Sequence, residues 1–240
     1  EFHHAQATTY RRITDHLNAE ELLGLTATPE RADGTDVRSF FGGRVAAELR
    51  LWDALSADLL CPFHYFGVAD GVDLSHLKWS KGMYDQGALS GVYTGNDARA
   101  RIVLKQVRDK VSDVQSMRAL GFCVSIAHAE YMARVFNEAG IPSLTVTSGP
   151  GSANRADALR KLAVREVNAI FTVDVFNEGV DIPSVDTVLF LRPTESSTVF
   201  LQQLGRGLRR AQDKPVLTAL DFVGHQRKEF RFDTRYRAIT

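Results

Sequence analysis

The sequence predicts an α/β protein in which a parallel sheet is flanked by helices. Two observations carry that expectation. From about residue 117 to 223, short apolar runs alternate with stretches of helical periodicity, the pattern of successive strand–helix–strand units. The chain has 240 residues, 44% of them hydrophobic, which is enough for one large domain or one and a half smaller ones, with a sizeable core.

The elements follow in order. Residues 9–17 read as a helix and 21–25 as a strand ending in Thr26-Ala27-Thr28. One helix and one strand cannot bury a core alone, so this segment is expected to lean on another unit. Residues 49–60 read as an amphipathic helix and 63–68 as a strand. Residues 70–95, with five glycines, read as an inter-domain connection. Residues 96–111 form a helix with Val103, Leu104, Val107 and Val111 inward. Residues 120–124 are a buried strand. The helix over 128–139 carries Ala129, Met132, Ala133 and Phe136 at i, i+3, i+4, i+7 and stops at Gly140. Residues 144–146 are the next strand. Asn154 caps a helix with Ala156, Leu159, Leu162 and Ala163 on one face. Residues 169–173, 187–191 and 215–220 are strands. Ser196-Ser197 lead into a short helix between the last two.

With 29 acidic and 29 basic residues, net charge alone does not announce nucleic acid. Residues 201–240 nevertheless hold nine Lys and Arg against four acids, a local basic patch. Cys61 and Cys123 lie far apart, so neither a zinc ribbon nor a disulfide framework is indicated, and a reducing cytoplasm is expected. No stretch approaches the roughly twenty apolar residues of a membrane span. His3 and His4 have no third ligand spaced to join them, so no metal site is expected.

The segment most laden with chemistry is residues 199–210, Val-Phe-Leu-Gln-Gln-Leu-Gly-Arg-Gly-Leu-Arg-Arg. On a helix, the i, i+3 spacing of Arg206 and Arg209 puts both guanidiniums on one face. Their rigid donor forks fit phosphate oxygens. With the Gln202 amide beside them, they suit charge developing on a transferred phosphoryl group. Read alone, the run is better taken as a solvated basic helix end. Gly179 allows close backbone approach, and Asp181 can accept from a ribose or hold an Arg; alone, the pair is a turn. Thr26 and Thr28 at a strand end, before Pro29, read alone as turn chemistry. Ser125, Thr147 and their neighbours lie where strands give way to loops, the ligand-binding edge of open α/β sheets, though capping explains each singly.

Taken together, these segments resemble the motifs of superfamily 2 helicases, DEAD/DEAH-box proteins of the type III restriction and excision-repair branch. Glu1-Phe2-His3-His4 is similar to the end of their motif II, residues 25–31 to motif III, residues 171–183 to motif V, and residues 202–209 to motif VI. The resemblance implies a RecA-like second motor domain. It implies the following organisation: residues 1–44 as the end of a first, ATP-binding RecA-like domain; 45–115 as connection and start of the second; 116–226 as the helicase C-terminal domain; and 227–240 as a basic tail. It implies ATP and Mg2+ as cofactors of the intact parent, with the Mg2+-binding Asp preceding Glu1. Glu1 would orient the attacking water, and His3 would link the ATP site to the motor. Thr26 and Thr28 would couple hydrolysis to domain movement. Gly179 and Asp181 would meet the nucleotide, and Gln202, Arg206 and Arg209 its phosphates. Ser125, Thr147 and Thr172 would touch the backbone of nucleic acid, taken as DNA. In many relatives a Thr directly precedes the motif V Asp. Val173 stands there in this chain, and Thr172 lies one residue earlier, on the opposite strand face.

The phosphate cradle Gly-x-x-x-x-Gly-Lys-Ser/Thr does not occur among these residues, so hydrolysis is expected of the parent and not of this chain alone. The partners implied are nucleic acid and the first RecA-like domain, with no membrane. Two other readings remain at this point: the motor subunit of a type III-like restriction system, and a non-enzymatic nucleic-acid-binding module.

Overall fold

The structure is a computed structural model that describes residues 2, 8–17, 19–26, 37–80, 83–149, 152–176, 182–194 and 196–230. Eight strands are described: β1 (Phe63–Asp73), β2 (Trp79–Ser80), β3 (Met83–Tyr84), β4 (Ala119–Phe122), β5 (Ser143–Val146), β6 (Ala169–Thr172), β7 (Thr187–Phe190) and β8 (Leu217–His225). Seven helices accompany them: α1 (Thr8–His16), α2 (Leu51–Ser56), α3 (Gln86–Tyr93), α4 (Asp97–Lys110), α5 (Ile126–Glu138), α6 (Arg155–Ala163) and α7 (Ser197–Gly205). Six strands form one sheet in the order β1-β8-β7-β4-β6-β5, every pair parallel. All six carboxyl ends therefore lie on one edge and all six amino ends on the other.

Both faces of the sheet are covered. Leu120, Phe122, Ile170, Val188, Phe190, Leu217 and Ala219 pack against α6 and α7. The alternate residues Ala119, Ala169, Phe171, Leu189, Leu220 and Phe222 pack against α4 and α5. That alternation is the period of two that a pleated strand imposes. The helices start where a short polar side chain accepts from their first turn. Ser125 accepts from His128 N, Asn154 from Asp157 N and Ser196 from Val199 N. After α5 the chain reverses through Gly140 at φ +77°, a conformation open to glycine without steric cost.

Several sequence expectations are corrected. Residues 21–25 form no strand; among the described residues, Phe2 N donates to Leu25 O at 2.8 Å. Helix α2 is half the expected length, because Asp58 turns left-handed at φ 59° just past its end. On α6 the buried face is Ala158 and Leu162, with Ala156 and Ala163 exposed. Residues 70–95 are not a bare connection. Val72, Leu74, Leu77, Tyr84, Leu89 and Tyr93 build a small core of their own with Val124 and Phe230. Strand β8 runs to His225 because β1 pairs with it from Phe63↔Leu217 to Ala69↔Val223 and, past a register shift, at Asp73↔His225.

Candidate functional site

The amino edge of the sheet holds the arginines. Helix α7 starts at Ser196, just past the carboxyl end of β7, and runs back across the sheet to deliver its last turn beside the start of β8. Phe200, Gln203 and Leu204 anchor it, all buried. Gln202 is half-buried on the helix, and Arg206 is its C-cap, also half-buried. The expected helical face joining Arg206 to Arg209 is not formed. The helix ends at Gly205, and the chain tightens through Gly207 N to Leu204 O at 2.9 Å and Leu208 N to Gly205 O at 3.3 Å. Gly207 lies against Leu217 so closely that a Cβ there would sit inside the Leu217 methyls. Arg209 therefore stands on the exposed bend beyond the helix. Arg210 is held elsewhere, donating to Asp58 O at 2.5 Å with Asp58 Oδ1 at 3.2 Å.

Lys214 closes this edge, and sequence reasoning did not single it out. Its ammonium lies 2.8 Å from Pro183 O, 3.0 Å from Val185 O and 2.9 Å from Gly207 O. Burial pulls its pKa below the usual lysine value, while the charge of Asp186 opposes that shift. Cys61, at the entry to β1, donates from its N to Leu208 O at 2.8 Å and from its thiol to Lys214 O at 3.7 Å.

The carboxyl edge gathers the hydroxyl loops. Ser125 follows β4, and its Oγ accepts from His128 N at 3.1 Å and lies 2.7 Å from Ser90 Oγ. Thr147 follows β5; its Oγ1 accepts from Gly149 N at 3.2 Å, and its N donates to Ser152 Oγ at 2.9 Å. Thr172 ends β6 between them but is fully buried, so it cannot reach a nucleic acid. It lies on the face turned toward the α6 and α7 core, where strand alternation places it. A basic group that the motifs did not mark stands here too. Arg192, just after β7, pairs with Asp174, just after β6, at 2.6 Å.

Beneath this edge lies a buried polar cluster. Arg99 Nε is 2.6 Å from Asp70 Oδ2, and its Nη2 donates to Leu191 O at 3.0 Å. The guanidinium sits 4.1 Å over the Tyr93 ring. His128 stacks on the same ring at 5.5 Å, and its Nδ1 accepts from Val124 N at 3.3 Å. Burial, then the charge of Arg99, pushes the His128 pKa down to about 3.

Thr26 is half-buried just past the segment 21–25. Glu1, His3, Thr28, Gly179 and Asp181 lie outside the described residues. Among the described residues, no cluster of three His, Cys, Asp or Glu could hold a metal ion, and no helix is long and apolar enough to cross a membrane.

Residues 101–211 match the helicase conserved C-terminal domain, and residues 1–31 match the res subunit of type III restriction enzymes. The chain is 28% identical over 230 residues to a Saccharomyces cerevisiae protein that carries the name ATP-dependent helicase IRC3, covering 93% of this chain and 33% of that protein. It is 26% identical over 245 residues to the EcoAI type I restriction endonuclease subunit of Escherichia coli, covering 91% of this chain and 30% of that one. It thus spans about a third of the length of these relatives. A solved fragment of a type I restriction HsdR subunit from Vibrio vulnificus shares the fold with a TM-score of 0.68 at 21% identity, over 89% of this chain and 42% of that one.

Proposed function

We infer that this chain, part of a superfamily 2 helicase of the restriction and repair branch, works in its parent as the second of two RecA-like motor domains that couple ATP hydrolysis to movement on nucleic acid. The observation that supports this reading best is the separation of two chemistries on one sheet. The Gln202–Arg206 end of α7 stands at the amino edge, and the Ser125 and Thr147 loops stand at the carboxyl edge. A nucleotide held against the first edge and a strand gripped at the second would be joined through the packed α7 and the sheet.

Arg206 and Arg209 would place positive charge against the phosphoryl group as it leaves, with Gln202 beside them. Gly179 and Asp181 would meet the nucleotide. Thr26 and Thr28 would carry the change between domains, and Glu1 would orient the attacking water with His3 as its link. Ser125 and Thr147 would hold phosphates, which fixes position without reading sequence. DNA is the polymer we propose, on the restriction-enzyme relative. Among the described residues no cluster of His, Cys, Asp or Glu could hold Mg2+, and the parent's ATP chemistry would draw that ion from other residues. Two buried free thiols fit a reducing compartment, and we propose the cytoplasm.

The test is steady-state ATP hydrolysis by the intact parent at saturating DNA. Arg206→Ala should cost roughly 10³-fold in turnover, as loss of an arginine across a domain gap does in related phosphoryl transfer. Arg210→Ala should stay near wild type, since that side chain is engaged by Asp58. Unchanged turnover in Arg206→Ala would remove the reading.

A further inference from the structure

Lys214 is 5% exposed, so its ammonium is held out of water, and its hydrogen-bond partners are the carbonyls of Pro183, Val185 and Gly207. Among the described residues no carboxylate lies within salt-bridge distance of it. An ammonium taken from water into such surroundings costs several kcal/mol unless its hydrogens are met. Here the three N–H donors meet three carbonyls, one each. An apolar side chain would fill the same space without that cost. What the ammonium adds is a joint between backbone segments distant in sequence. Pro183 and Val185 belong to the limb that follows Asp181 and enters β7; Gly207 belongs to the turn that follows Arg206.

The neighbours hold the joint from both sides. Cys61 N donates to Leu208 O at 2.8 Å, and its thiol lies 3.7 Å from Lys214 O. Gly207 cannot move toward Leu217, which leaves its carbonyl aimed at the ammonium. Arginine would not serve, since its planar fork spreads five donors where three oxygens converge on one point.

We propose that Lys214 is a positioning residue for ATP hydrolysis: it locks the limb after Asp181 to the limb carrying Arg206 and Arg209, so that the groups assigned to the nucleotide keep one geometry. This rests on the motor reading above. Without the joint, the two limbs shift separately, and the arginines meet the phosphoryl group out of register. Misplacement by about an ångström costs on the order of 10²-fold in rate. Because the charge to be stabilised grows in the transition state, ground-state nucleotide binding suffers less.

The experiment uses the intact parent with Lys214→Met, Lys214→Gln and Arg206→Ala. It measures kcat and KM for ATP at saturating DNA, affinity for ADP and for ADP with aluminium fluoride, and thermal melts. Lys214→Met should lower kcat about 10²-fold with little change in KM. It should weaken the aluminium fluoride complex far more than ADP alone. Lys214→Gln, which keeps two N–H donors, should fall between it and wild type, and it decides the matter if Lys214→Met does not fold. Equal losses for ADP and its aluminium fluoride complex would mark general damage and overturn the proposal. So would wild-type kcat and analogue affinity in folded Lys214 variants while Arg206→Ala loses turnover. If Arg206→Ala is silent as well, the motor reading falls first and takes this proposal with it.

Discussion

The imidazole of His128 shows how a single residue serves the carboxyl edge. It stacks on Tyr93, lies 3.4 Å from the Arg99 guanidinium and accepts from Val124 N, all out of water. Only its neutral form fits, because protonation would place a second cation beside Arg99 and remove the acceptor for Val124. An ordinary histidine titrates near 6.5, and this one near 3 in the folded state. Between those values the unfolded chain binds the extra proton and the folded chain does not. The contribution is therefore fully present above about pH 6.5 and is lost as pH falls toward 3, at up to about 1.4 kcal/mol per unit. Urea unfolding of the chain should show stability declining from pH 6.5 to 5, and His128→Gln should flatten that decline. A slope that survives the substitution would assign it elsewhere. The sequence placed His128 at a strand–helix junction; that it is neutral follows from its burial and from Arg99, which only the fold brings beside it.

At the scale of elements, α7 is the informative case. Its start was legible, since Ser196 stands where a cap is needed. Its end was not. Spacing alone extends the helix through Arg209, but Gly207 is pressed onto Leu217 of β8, and the helix ends at Gly205 with Arg206 as its C-cap. The contact is between segments whose meeting no local pattern encodes. Gly207→Ala should consequently destabilise the chain by about 1–3 kcal/mol, the usual result of forcing a methyl into a packed core. Thermal melts would measure it, and a neutral result would mean that Leu217 can move aside. Helix α2 is likewise shorter than its spacing suggests, cut short by the left-handed Asp58. By contrast α5 and α6 lie within a residue or two of expectation, because cap and apolar spacing are local signals.

At the scale of the whole molecule, the parallel sheet separates the Gln202–Arg206 end of α7 from the Ser125 and Thr147 loops, one at each edge. The Ser125 and Thr147 loops with nearby Arg192 suit phosphates, whose affinity comes from counterion release and carries no sequence preference. In the intact parent, fluorescence anisotropy with DNA oligonucleotides of several sequences should give similar affinities that weaken steadily as salt rises. Strong preference for one sequence, or indifference to salt, would place the grip elsewhere. By itself the sequence determined the α/β class, most strands and helices of residues 117–223, and the order of the helicase motifs. Those depend on periodicity, caps and residue types that act within a few positions. The tertiary structure alone decided that β1 borders β8, that residues 70–95 fold into a small core, that Thr172 is sealed inside, and that Lys214 joins three carbonyls from two limbs. Each depends on contacts across tens of residues, where burial and backbone hydrogen bonding are settled by which surfaces meet and not by what stands next in the chain.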